Sequence, residues 1–132
     1  ANVERAGNEV TIISYGRPLQ RVVRSAVKEL TDQGVDVELI DLRTIRPLDV
    51  DTLAKSIAKT HRAVVIDEDY GYCGIGTAIS GKLYKRVWDD LDAPIEHVHS
   101  DEIPVPFNHY QEEAMMPSVE KIIASVKEVC YR

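Results

Sequence analysis

Only two cysteines, Cys73 and Cys130, occur in the 132 residues, so the disulfide framework that holds small secreted domains together is excluded. Aromatic side chains are scarce, with one Phe and one Trp, and aliphatic packing must therefore carry the core. No apolar run approaches the roughly 20 residues that cross a bilayer, and Ala1 to Asn8 lack the basic start and apolar centre of a signal peptide. Positive charge is also short. Sixteen Lys and Arg against twenty-two Asp and Glu give a net charge of −6, which argues against a surface that tracks nucleic-acid phosphates. A soluble protein with no nucleic-acid and no membrane partner is expected. The chain opens on alanine instead of methionine, and a single domain over 1–132, cut from a longer subunit, is the expected organisation.

What is present is an alternation of two periods. Val10 to Tyr15 is rich in β-branched residues and stops at Gly16-Arg17-Pro18, which reads as a buried strand and a turn. Leu19, Val22, Val23, Ala26, Val27 and Leu30 then recur at helical spacing, and Gly34 supplies a left-handed end. A strand over Val35 to Leu42 follows, joined to the first by a right-handed crossover. Beyond Pro47, Leu48, Asp49 and Asp51 introduce a shorter helix bearing Leu53, Ala54, Ile57 and Ala58. Ala63 to Ile66 lacks polar alternation, as a strand covered on both faces does. A glycine loop leads into a helix through Ile75, Ile79, Leu83 and Val87, and Ile95 to His99 forms a fourth strand. Ser118 caps a last helix with Val119, Ile122, Ile123, Val126 and Val129 on its apolar face. This order predicts a three-layer α/β/α sandwich around a mostly parallel sheet of four or five strands.

Several clusters invite a chemical reading. Gly71, Gly74 and Gly76 stand between a strand and a helix, where backbone amides can hold a phosphate. A dinucleotide fingerprint, however, needs a small residue where Ile79 stands, and the Lys-Ser/Thr pair of a Walker loop is missing. The glycines are expected to serve a tight turn and a close approach. Asp67, Glu68 and Asp69 occupy a strand end, yet strand alternation sends neighbours to opposite faces, so a solvated end or a pair with Arg43 or Arg46 is expected. His97 and His99 share one strand face without an evident third ligand, so no metal site is expected. Cys73 has no adjacent His to activate it and is expected to be a packed thiol. No Gly-x-Ser-x-Gly elbow occurs. These residues give no catalytic, cofactor-binding or metal-binding set.

Ile40-Asp41-Leu42-Arg43-Thr44-Ile45-Arg46-Pro47-Leu48-Asp49 closely resembles a segment of the C-terminal domain of the beta subunit of thiamine-diphosphate-dependent 2-oxo acid dehydrogenases, of pyruvate or branched-chain type. The likeness runs on through Lys59-Thr60-His61, Ile66-Asp67-Glu68, Gly74-Ile75-Gly76, Leu91-Asp92-Ala93-Pro94 and Asp101-x-x-Pro104-Val105-Pro106-Phe107. Related domains end transketolase. The resemblance implies a parent enzyme using thiamine diphosphate and Mg²⁺, both held by other domains, to decarboxylate a 2-oxo acid, most closely pyruvate, and pass the acyl group to a lipoyl arm. It implies subunit assembly as the work of this domain. The implied partners are an alpha subunit or other domains of the same enzyme, a second beta subunit and the dihydrolipoyl acyltransferase core. The implied location is the cytoplasm of a bacterium, or the mitochondrial matrix or plastid of a eukaryote.

Interface or structural roles are expected at Asp41, Arg43, Arg46, Pro47, Asp49, Glu68, Gly74, Gly76, Asp101, Pro104 and Pro106. Asp41, Arg43, Arg46 and Asp49 place opposite charges around one strand exit where Pro47 fixes the chain direction, a paired corner. The Gly74–Gly76 turn resembles a region that packs on a partner subunit. An independent small-molecule- or anion-binding domain using that loop is the alternative reading.

Overall fold

The computed structural model describes all 132 residues. Five strands form one sheet in the order β1-β3-β2-β4-β5, with β1 at Asn2–Arg5, β2 at Val10–Ser14, β3 at Val37–Asp41, β4 at Ala63–Tyr70 and β5 at Glu96–Ser100. The pairs β2–β3, β2–β4 and β4–β5 are parallel, and β1 alone runs antiparallel, against β3. The sandwich and its mostly parallel sheet are as the sequence predicts.

Strand alternation sorts the core into two layers. Val10 and Ile12 of β2, Val37 and Leu39 of β3, and Val64 and Ile66 of β4 face one side. They meet Ala26, Val27 and Leu30 of α2 (Arg24–Asp32) and Ile122, Val126 and Val129 of α6 (Val119–Val129). Ile13, Ile40 and Val65 face the other side. Leu53 and Ile57 of α3 (Val50–Thr60) cover them together with Ile79, Leu83 and Val87 of α4 (Ile75–Val87). Polar residues that turn inward on this second face are satisfied. The Thr11 hydroxyl lies 2.7 Å from both Ser56 and Thr60 hydroxyls, and Glu38 accepts from Ser56, Lys59 and the Gly7 amide.

The helix before α2 begins earlier than its apolar stripe. The short α1 (Gly16–Pro18) leads through a wide π-type stretch, Leu19–Val23, directly into α2. Pro18 is tolerated because the first helical turn does not use its missing N–H. Gly34, at φ +84°, ends the run as expected. Asp49 caps α3 by accepting from the Thr52 amide at 3.1 Å, and Ser118 caps α6 through the Lys121 amide at 3.2 Å. A further short helix, α5 (His109–Met115), interrupts what the sequence presents as a loop.

Candidate functional site at the carboxyl edge of the sheet

The chain leaves β2 toward β3 on one side and returns to β4 on the other, so the strand order reverses between β2 and β4. Open α/β sheets place ligands at such a reversal, outside the carboxyl ends of the strands. Here that place is occupied by the protein's own polar groups. Asp67, fully buried, accepts from the Gly76 amide at 2.7 Å, from His97 Nε2 at 3.0 Å, from the Tyr15 hydroxyl at 3.3 Å and from the Asp69 amide at 3.3 Å. Burial opposes the Asp67 charge, but the hydrogen bond and charge of His97 and the amides of Gly76 and Asp69 prevail and hold its pKa below the usual carboxylate range. Burial and the neighbouring Asp67 carboxylate push the Tyr15 phenol upward.

The glycine loop closes onto this group. A Cβ on Gly76 would lie 2.1 Å from His97 Nε2 and 2.7 Å from Asp67 Oδ2, and one on Gly74 would lie 2.0 Å from the Tyr70 carbonyl oxygen. The close approach that these glycines permit is therefore internal, between α4 and the β4–β5 edge. Asp69 accepts from the Ile75 amide at 3.1 Å, so the first two amides of α4 both point at carboxylates of this chain. A phosphate or a diphosphate placed there would meet two negative charges already seated on the first two amides of α4, and the loop does not fit such a ligand.

The three consecutive carboxylates do not meet Arg43 or Arg46. Those arginines follow β3, which β2 separates from β4, and the end of β4 instead reaches residues after β2 and on β5. Glu68 pairs with Arg17 Nε at 3.1 Å, and nearby Arg21 pairs with Glu113 at 2.7 Å. A cleft of about 300 Å³ lies between these two pairs, but each guanidinium already faces a carboxylate. Cys73 is exposed, at φ +61°, and is not a packed thiol, because the turn before α4 swings it outward. His97 and His99 do share a face, with ring centroids 4.9 Å apart. His97 is held by Asp67, and the His99 ring packs where a Gly71 Cβ would stand, 2.5 Å from Nε2.

At the exit of β3, Arg43 Nε lies 2.7 Å from Asp41 Oδ2, and the Arg43 amide donates to Asp41 Oδ1 at 3.1 Å. Arg43 holds φ +60°. Asp49 belongs to the α3 cap, Thr44 donates to the Pro47 carbonyl at 3.0 Å, and Arg46 is exposed without an ion pair.

Asp101 pairs with Lys121 at 2.9 Å and ties its own amide to the Met115 carbonyl at 2.8 Å. This anchors a loop whose apolar side chains point outward: Ile103, Val105, Phe107 and, on α5, Tyr110 are exposed, as is Tyr72 across from them. Tyr70 donates to the Ile103 carbonyl at 2.8 Å, and the Tyr72 amide donates to Glu102 at 2.8 Å. Clefts of about 380 and 490 Å³ flank Pro104, and Pro106 lines the second. These exposed apolar side chains therefore sit on a loop that is itself tied down at both ends.

Residues 1–122 match the family described as "Transketolase, C-terminal domain". The chain belongs to this family. Over all 132 residues it is 38% identical to the pyruvate dehydrogenase E1 component subunit beta of Rhizobium meliloti, covering 28% of that protein. It is 39% identical over 131 residues to the subunit of the same name from Rickettsia felis, covering 99% of this chain and 40% of that one. The mitochondrial subunit of Dictyostelium discoideum is 36% identical over 100% of this chain and 37% of its own length. The chain thus spans well under half of the relatives it matches. Its fold superposes on a solved split-gene transketolase, described as an inactive beta4 tetramer, with a TM-score of 0.79 at 21% identity over 98% of this chain and 41% of that one. A transketolase-type C-terminal domain accounts for the architecture.

Proposed function

We propose that this domain organises subunit contacts in the decarboxylating component of a 2-oxo acid dehydrogenase complex, with pyruvate as the parent substrate, and carries none of the chemistry itself. The observation that supports this most is identity of 36–39% along the whole chain to subunits named pyruvate dehydrogenase E1 beta. The carboxyl edge supports it too: the first two amides of α4 are held by Asp69 and Asp67 and are not offered to a diphosphate, which with Mg²⁺ would be held by other domains of the parent. Asp41, Arg43, Arg46, Pro47 and Asp49 shape one corner of the domain, while Glu68, Gly74, Gly76, Asp101, Pro104 and Pro106 shape the edge that presents Phe107 and Tyr110. An alpha subunit is the partner assigned to that aromatic edge, with a second beta subunit and the acyltransferase core as further partners. The compartment follows the source: cytoplasm in a bacterium, matrix or plastid in a eukaryote.

The test is co-expression of a full-length beta subunit bearing this domain with its alpha subunit. Phe107→Ala with Tyr110→Ala is expected to reduce the assembled complex and its pyruvate decarboxylation together, without lowering the unfolding temperature of the 132-residue domain. Unchanged assembly, or turnover of pyruvate by the domain alone, would refute the reading.

A further inference from the structure

Three side chains stand in series at the carboxyl edge of the sheet, one each from β4, β5 and α4. Asp67 is fully buried, and both of its oxygens are taken: Oδ1 accepts from His97 Nε2 and the Asp69 amide, Oδ2 from the Gly76 amide and the Tyr15 hydroxyl. A carboxylate only accepts, so His97 Nε2 carries the ring hydrogen and, in the neutral imidazole, Nδ1 keeps a free lone pair. That nitrogen faces Thr77, whose Oγ1 lies 3.5 Å away. The Thr77 hydroxyl donates to the Gly71 carbonyl at 2.5 Å, and rotation about its own C–O bond is enough to turn the hydrogen toward the imidazole instead. Thr77 is exposed on the first turn of α4, at the edge where open α/β sheets meet ligands, while the His97 side chain is only 13% exposed. Closure of the glycine loop accounts for the bond from Thr77 to Gly71, but not for a histidine nitrogen aimed at the same oxygen.

We propose that Thr77 is an acyl acceptor, taking an acyl group from an activated ester or thioester, with His97 as general base and Asp67 as the residue that positions it. A hydroxyl, an imidazole and a buried carboxylate in this order are the parts of an activated nucleophile. As Thr77 Oγ1 bonds to the acyl carbon, its proton passes to His97 Nδ1. The bond from that carbon to the leaving oxygen or sulfur breaks, the leaving group departs with the electron pair, and the proton follows it from Nδ1. A threonine ester and a neutral imidazole result, and the step balances with no further reactant. The first two amides of α4 are held by Asp69 and Asp67 and are not aimed at a developing oxyanion. Acylation therefore depends on a good leaving group, and hydrolysis of the threonine ester, which has a poor one, is slow. One acyl group per chain, without turnover, is the expected outcome. This activity is independent of the assembly reading.

The probe is 4-nitrophenyl acetate, mixed with the 132-residue chain. Nitrophenolate is expected in a burst of about one equivalent, with one acetyl group located on Thr77 by fragmentation of the proteolysed chain. Thr77→Val keeps the shape, removes the hydroxyl and is expected to abolish the burst, whereas Thr77→Ser should keep it. His97→Gln can still donate to Asp67 but supplies no base, and should slow the burst about a hundredfold or more. Ser80→Ala, one turn further along α4, should leave it unchanged. Circular dichroism of each variant checks that the fold is kept, and the position of the acetyl group on the wild-type chain decides the matter without any variant. A wild-type chain that gives no burst, or an acetyl group found only on lysines, the N-terminal amine or His97, would overturn the proposal. So would a burst that survives Thr77→Val or is indifferent to His97→Gln.

Discussion

A carboxylate without solvent keeps its charge only while its donors stay in place, and Asp67 depends on donors from β5, from α4, from the turn after β2 and from its own strand. Asp67→Asn keeps the shape but turns an amide group toward donors that need an acceptor, at a cost of about 2 kcal/mol or more in denaturant unfolding. The pH dependence has a definite sign. Asp67 and Glu38 both have pKa values below the ordinary range. Burial opposes the Glu38 charge as well, but Lys59, Ser56 and the Gly7 amide hold it. Such groups contribute stability that is complete above the unfolded carboxylate pKa of about 4 and is lost as pH falls through the folded values. The contribution of these two groups to unfolding free energy should therefore be flat above that range and fall below it, and Asp67→Asn should flatten the acid side. Glycine positions give a second contrast at this scale. Gly76→Ala drives a methyl group into His97 and Asp67 and is expected to cost about 1–3 kcal/mol, whereas Gly81, with nothing within 4 Å of its Cβ direction, should gain roughly 1 kcal/mol as alanine. Equal effects at the two positions would contradict the packing described.

Among the elements, those with a strong period of their own were readable and those held by their neighbours were not. The apolar β2 and β4 and the striped α2, α3, α4 and α6 announce themselves because each buries its own pattern. β1 does not: Asn-Val-Glu-Arg has no alternation to bury and becomes a strand only because β3 offers an edge. α5 is hidden for a similar reason, since only Met115 of its residues is buried. The polar centre of the edge was half legible. Asp67 has the strand parity of Val65, which points it at α4, and His97 pairs in register with Val65; the pairing of β4 with β5 had to be known before that parity named a partner. The β3 exit shows the same limit. The sequence places opposite charges there, while the structure joins Asp41 to Arg43 and leaves Arg46 in solvent. Because Arg43 is largely exposed, Arg43→Ala should lower stability in denaturant by under about 1 kcal/mol. Arg43→Gly, freed from the left-handed cost at φ +60°, should lower it less. A loss larger for glycine than for alanine would mean that the entropy glycine adds to the unfolded chain outweighs the left-handed cost it relieves.

For the molecule as a whole, the decisive comparison is between what the carboxyl edge could bind and what it already holds. With a net charge of −6 and with Asp67 and Asp69 on the first amides of α4, the edge repels the anions that its position in an α/β fold would otherwise attract. Calorimetric titration of the chain with inorganic pyrophosphate should give no saturable heat. Gly74→Val is unsuited as a control, since a side chain there collides with the Tyr70 carbonyl and would damage the fold whether or not anything binds. Asp69→Ala is the informative variant: Asp69 is exposed, and its removal takes away one negative charge and frees the Ile75 amide. Pyrophosphate binding that appears or strengthens in Asp69→Ala shows that the chain's own carboxylates close the site. Saturable binding to the wild type, unaltered by Asp69→Ala, would place an anion site elsewhere on the edge and would return the small-molecule reading to contention against the assembly one.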